Sequence, residues 1–178
     1  MSFIIPKDDT TQSDRKRFRE AAMAAGIERC AKKLGQNADE LTALQALNMT
    51  DFGCPIEQWN TAPLLVLGTQ YSVFQNQPNP TLGNNRLVVF YGISIETIPA
   101  PVSRLTIRLG TLTGNVIAEY DLEQIINSDT VEGYFNQPVC IDPTAMFAVQ
   151  VTARIATGVI ARIQLMNWLI IPAGQRTA

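Results

Sequence analysis

The sequence predicts a mainly β protein, a jelly-roll-like β-sandwich preceded by a short helical N-terminal arm. Three observations carry that prediction. Charge is unevenly spread: residues 1 to 60 hold eight Lys or Arg and nine Asp or Glu, whereas residues 61 to 178 hold six arginines, seven acids and no lysine. The apolar period changes near Ala62 from helical to alternating, with Pro, Gly and Asn recurring at strand spacing. A chain of 178 residues can also bury one substantial core. The expected organisation is a helical arm over 1–60 and a sandwich over 61–178.

In the arm, Thr11 is placed to cap a helix from about Ser13 to Leu34. Asp14 stands at its electropositive end and Gly35 follows the last turn as a stop. At about 100° per residue, Met23, Ile27, Cys30, Ala31 and Leu34 form an apolar stripe. Arg15, Arg19, Arg29, Lys32 and Lys33 gather on the other side, with Phe18 nearby. Asn37 and Glu40 have the spacing of a second cap, which predicts a shorter helix carrying Leu41, Leu44 and Leu47 on one side.

After Ala62 the predicted elements are strands. "LLVLGTQYSVF" (64–74) and "RLVVFYGISIE" (86–96) flank a polar, proline- and asparagine-rich loop over 75–85 that is expected to be exposed. "SRLTIRLG" places Leu105, Ile107 and Leu109 on one face and Thr106 and Arg108 on the other, and "TGN" at 113–115 turns the chain into "VIAEY". "VEGYFNQPVCI" adds a strand interrupted at Pro138. Finally Phe147, Val149, Val151, Ala153 and Ile155 alternate with polar or small residues. "ATG" at 156–158 then reads as a reversal into Val159, Ala161, Ile163 and Leu165, predicting a hairpin with one buried face. Seven or eight strands with no internal repeat favour a two-sheet sandwich, and the long first connection suits a jelly roll better than a meander.

Composition narrows the function. The chain has no histidine, which removes Ser-His-Asp and Cys-His catalysis and the imidazole-dependent metal sites. Glu119, Asp121 and Glu123 read as a solvated acidic turn rather than a catalytic pair. There is no P-loop and no dinucleotide fingerprint. Cys30, Cys54 and Cys140 are odd in number and far apart, so they read as reduced, packed thiols. Trp59 and Trp168 read as core or interface packing. The expectation is no catalytic residue, no metal and no cofactor. No stretch reaches the roughly 18 apolar residues of a membrane helix, and "MSFIIPKDD" lacks the features of a secretory signal, so neither membrane nor secretion is expected. Only 17 % of residues are charged and the net charge is −2, so a weakly charged, 46 % hydrophobic chain is expected to hide surface in a homo-oligomer.

Residues 13–35 hold seven of the fourteen basic residues. With the segment that follows they loosely imitate a helix-turn-helix, yet the second helix, which would read bases, contains no Arg or Lys. Nucleic acid is therefore not the expected partner. A protein-docking role is, through Arg15, Phe18, Arg19, Met23, Ile27 and Leu34.

A helical arm followed by a histidine-free, lysine-free, weakly charged β-domain resembles the small virion structural proteins of tailed bacteriophages, especially capsid cement or decoration proteins. The stretches "PVSRLTIRLGTLTGNVIAEYDL" and "AMFAVQVTARIATGVIARIQLMNWLIIPAG" carry the β-domain part. The resemblance is one of organisation along the whole chain. It implies assembly on the outside of an icosahedral head, commonly as a trimer, with the major capsid protein as partner and the virion, made in the host cytoplasm, as location. The alternatives are a head-to-tail, neck or tail component and, from another class, a carbohydrate-binding β-sandwich. The latter requires Tyr71, Phe74, Tyr91 and Trp168 to be exposed together.

Overall fold

A computed structural model describes residues 2–46, 49–52, 59–75 and 78–175. The strands are β1 (Ile4–Pro6), β2 (Leu41–Leu44), β3 (Gln70–Ser72), β4 (Leu87–Ile95), β5 (Val102–Leu109), β6 (Asn115–Asp121), β7 (Glu132–Ile141), β8 (Phe147–Ala153) and β9 (Ile163–Pro172). Among the described residues two α-helices accompany them, α1 (Gln12–Leu34) and the single turn α2 (Glu123–Ile126). The strands form two antiparallel sheets, ordered β1-β7-β4-β9-β2 and β3-β8-β5-β6. The pairings β2·β9, β3·β8, β4·β7 and β5·β6 are nested, as in a long ribbon folded back on itself and then rolled. That is the jelly-roll plan, with β1 added at one edge.

The core lies between the sheets. Along β9, Ile163, Leu165, Leu169 and Ile171 point into it, and along β8 Phe147, Val149 and Val151 meet them from the other side. Phe52, Phe74, Phe90 and Phe147 pack edge-on or tilted at ring separations of 5.9–6.3 Å. Asn167 is a buried polar exception on β9. Its Oδ1 accepts from Ala46 N at 3.0 Å and its Nδ2 donates to the carbonyls of Ala46 and Leu165, both at 2.9 Å, so the polar groups of the β2 exit are satisfied inside the protein.

Helix α1 makes a third layer on the outer face of the five-stranded sheet. This explains why β4, "LVVFYGISI", is apolar without alternation. Val88, Phe90 and Ile93 face the core, while Leu87, Val89 and Tyr91 face the helix. The N-terminus of α1 is as the sequence predicts: Thr11 Oγ1 accepts from Asp14 N, Thr11 N donates to Asp14, and Gly35 ends the helix in the left-handed conformation at φ 66°. The helix touches the sheet through Ala22, Gly26 and Cys30, a line of small residues flanked by Phe18, Ile27, Ala31 and Leu34. Residues 1–60 thus supply, besides the helix, two strands of the five-stranded sheet.

Four local expectations are corrected. The second helix is a 3-10 turn (Ala38–Glu40) leading into β2. The cap forms, with Asn37 N donating to Glu40 at 3.0 Å, but the chain then pairs with β9, where Leu41 is buried and Leu44 exposed; Leu47 lies outside the described residues. The strand expected over 64–74 shrinks to Gln70–Ser72, and Leu65, Val66 and Leu67 are exposed loop residues. The 75–85 loop is tied down in its second half, where Pro80 accepts from Phe147 N and Leu82, buried, donates to Ala145 O. The 147–165 hairpin does not form. Both strands exist, with Phe147, Val149, Val151, Ile163 and Leu165 inward as expected and Val159 exposed, but β8 belongs to one sheet and β9 to the other, so the 154–162 segment crosses the sandwich. The irregularity at Pro138 is present: pairing of β4 to β7 jumps from Phe90–Val139 to Gly92–Tyr134.

Candidate functional site

A cleft of about 920 Å³ lies where the N-terminal half of α1 meets the outer sheet face. Tyr134 on β7 and Trp168 on β9 line the sheet side. Arg15, Lys16, Arg19, Glu20 and Met23 come from successive turns of α1, and Lys7 and Glu132 close one end. Four cations against two carboxylates leave the cleft net +2 (four minus two) in a chain whose net charge is −2.

Each wall is held by a specific contact. Arg15 Nε donates to Thr10 Oγ1 at 3.0 Å, and its Nη2 donates to the carbonyls of Lys7 and Thr10 at 2.9 and 3.1 Å, fastening the 7–10 turn to the helix. Lys7 Nζ lies 2.7 Å from Glu132, which ties that turn to β7. The Arg19 guanidinium sits over the Trp168 ring at 5.5 Å, while Trp168 Nε1 donates to the Arg19 carbonyl at 3.0 Å. Phe18 stacks on Tyr134 with ring centres 5.4 Å apart, and Tyr91 stacks on Trp168 at 6.2 Å. Burial pushes the Tyr91 phenol up, so it stays neutral and part of an apolar floor.

The six residues expected to dock protein separate into two groups. Phe18, Ile27 and Leu34 are engaged against the chain's own sheet. Arg15, Arg19 and Met23 line the cleft. Arg29 and Lys33, further along the helix, are tied elsewhere: Asp142 accepts from Arg29 Nε and Nη2 at 2.5 and 3.0 Å and pairs with Lys33 Nζ at 3.0 Å. The hydrogen bond from Arg29 holds the Asp142 carboxyl below the usual carboxylate range. Sequence reading missed Lys7, Glu132 and Tyr134 as partners of the helix, because each reaches the cleft only through strand pairing.

Other candidates resolve differently. Glu119 pairs with Arg104 at 3.5 Å, Glu123 pairs with Arg154 at 3.5 Å, and Asp121 accepts from Glu123 N at 2.9 Å, so the three carboxylates do not converge. Among the described residues no group of three His, Cys, Asp or Glu could hold a metal, and no helix is long and apolar enough to cross a membrane. Burial pushes the Cys30 thiol up to about 11, which suits a packed rather than a reactive sulfur; Cys54 lies outside the described residues. The four rings of the carbohydrate alternative are not exposed together. Phe74 is fully buried, Tyr91 is 5 % exposed, and the Tyr71 hydroxyl accepts from Leu65 N and Val66 N. Trp59 is buried against Phe52 and Phe74.

No family model and no curated protein matches the sequence. Among solved structures the chain is similar to the infectious bursal disease virus VP2 subviral particle. The TM-score is 0.41 at 10 % identity, over 76 % of this chain and 33 % of that one. It is also similar to the structure of the infectious bursal disease virus Gx strain, with a TM-score of 0.38 at 11 % identity over 77 % and 34 %. The chain spans about a third of the length of these structures.

Proposed function

We propose that this chain is a non-enzymatic viral structural protein, a capsid cement or decoration subunit that docks on the major capsid protein and reinforces the shell. Residues 1–60 supply the gripping helix as well as two strands of the body that residues 61–178 otherwise build, and the subunit works in the virion as a homotrimer. The observation that carries this reading is the positive, aromatic-floored cleft built onto a jelly roll. Jelly rolls serve as capsid bodies, lectins and cupins. A lectin use would need Tyr71, Phe74, Tyr91 and Trp168 exposed together, and Phe74 and Tyr91 are buried. Metal-dependent chemistry would have to work without histidine. Fold alone does not give function, so the weight falls on the cleft.

In the cleft, Arg19 and Lys16 meet carboxylates of an acidic coat segment while Met23 and Trp168 receive an apolar side chain. Arg15, Phe18, Ile27 and Leu34 keep the helix in place. The contact favours protein over duplex DNA, since Glu20 and Glu132 stand among the cations and Asp142 engages Arg29 and Lys33. A neck or tail location would use the same chemistry at lower copy number.

The test is co-sedimentation with particles of the encoding virus. Arg19→Glu should weaken binding by about tenfold or more with an unchanged circular dichroism spectrum, reversing the charge and removing the ring contact at once. Normal binding by Arg19→Glu would reject the cleft as the docking site. A second reading, a shell-forming subunit in its own right, is favoured by the complete nested strand pairing and by exposed apolar loops at one end of the sandwich. The particle-free control of the same experiment separates the two: discrete oligomers support decoration, closed shells support the second reading.

A further inference from the structure

Three loops meet at the end of the sandwich where β5 begins and β8 ends. Gly158 N donates to Leu64 O at 2.9 Å, Leu64 N to Val159 O at 3.0 Å, Gly68 N to Ala153 O at 2.9 Å, and Arg162 N to Thr97 Oγ1 at 2.8 Å. The Tyr71 hydroxyl accepts from both Leu65 N at 3.1 Å and Val66 N at 3.0 Å. The loops are therefore stitched to one another and to the body, and their backbone polar groups are satisfied inward. What they turn outward is aliphatic: Leu65 is 68 % exposed, Val66 57 %, Leu67 64 %, Ile98 75 %, Val159 40 % and Ile160 46 %.

Together these side chains expose on the order of 500 Å², at the upper end of the roughly 300–600 Å² of the largest apolar patch on an ordinary monomer. A patch of that size held rigid by hydrogen bonds is preorganised for a partner, because little ordering entropy remains to be lost.

We propose that this loop end is the surface through which the chain associates with further copies of itself, the same loops clustering about a rotation axis. Charge on the rim points to a second copy. Glu96 N donates to Arg162 O at 3.0 Å, so the two residues are backbone neighbours, yet their side chains form no ion pair with each other. Both are exposed, and among the described residues neither has an opposite charge within ion-pair distance. A surface that carries one unpaired acid and one unpaired base beside an aliphatic centre is complementary to itself: rotation about an axis brings Glu96 of one copy to Arg162 of the next. The aliphatic centre alone, on the order of 500 Å², would make up the larger share of the roughly 800 Å² per partner of a stable interface. A bilayer is the poorer occupant, since these loops contain no Trp, Tyr, Phe or Lys, the residues that anchor protein at a membrane surface.

The inference rests on the self-association proposed above and not on shell docking. Sedimentation equilibrium of the full chain tests it. The wild type is expected to associate at micromolar concentration. Leu67→Asp and Ile98→Asp, both at exposed positions, should raise the dissociation constant by at least about 30-fold while the melting temperature stays unchanged. Glu96→Arg and Arg162→Glu should each weaken association, and the double swap should restore it to within about threefold of wild type. A wild type that remains monomeric at about 100 µM overturns both self-association and this surface. An oligomer indifferent to all four variants, or one in which the double swap is no better than the singles, overturns this surface alone.

Discussion

Gly26 shows how one residue sets the spacing of two layers. A Cβ built there would lie 2.5 Å from Val89 Cγ2 and 3.2 Å from Ile170 Cγ1, so only glycine lets α1 sit this close to the sheet. Val89 and Ile170 are themselves fully buried and have nowhere to move. Gly26→Ala gains about 1 kcal/mol of helix propensity but forces overpacking that costs about 1–3 kcal/mol. The variant should be less stable by about 1 kcal/mol, read as a lower urea midpoint; a higher midpoint would mean the helix lifts off without penalty. Sequence reading placed the cap residues Thr11, Asp14 and Gly35 correctly because their roles are local. It had no access to the roles of Gly26 and Asn167, because Val89, Ile170 and Ala46, which those roles depend on, lie more than 60 residues away.

Among elements, α1 carries the distinctive chemistry and is fixed at both ends. The N-terminal half is held by Arg15 and by the Phe18 and Arg19 ring contacts, the C-terminal half by the Arg29, Lys33 and Asp142 cluster. The Asp142 carboxyl is held low chiefly by the hydrogen bond from Arg29. A depressed folded-state value means that the unfolded chain binds the proton first. The stabilisation is thus complete above the ordinary aspartate range, near pH 4, and fades as pH falls below it. Asp142→Asn should cost about 0.5–1 kcal/mol at neutral pH, as befits a half-exposed network. The gap between variant and wild type should close between about pH 4 and pH 2. Thermal melts across that range measure it, and a gap that widens on acidification would contradict the assignment. The helix's existence, length and caps were legible in the sequence. Its contact face was read slightly rotated: Cys30 was in the expected stripe, but Ala22 and Gly26 are too small to register as apolar positions.

For the whole molecule, the sequence supports the two-sheet plan and most strand positions, since alternation reports which side chains face a core. Alternation cannot report partners. The 147–165 stretch satisfies a hairpin pattern and a crossover equally well, and the structure resolves it as a crossover because β8 pairs with β3 and β5 while β9 pairs with β4 and β2. The exposed Leu65–Leu67 run was hidden for a related reason: a short apolar run before a glycine has the signature of a buried strand. The cleft and the aliphatic loop end occupy different parts of the fold, which would let the proposed subunit hold copies of itself and a shell at the same time. Linked contacts of that kind can raise avidity by roughly 10² to 10⁴ over a single one. Quantitative mass spectrometry of purified, salt-washed particles of the encoding virus tests whether the chain is a shell component. A shell component should be found in those particles at a copy number comparable to that of the coat protein. The chain's absence from washed particles, with the protein recovered only from the soluble fraction of the host, would contradict that role.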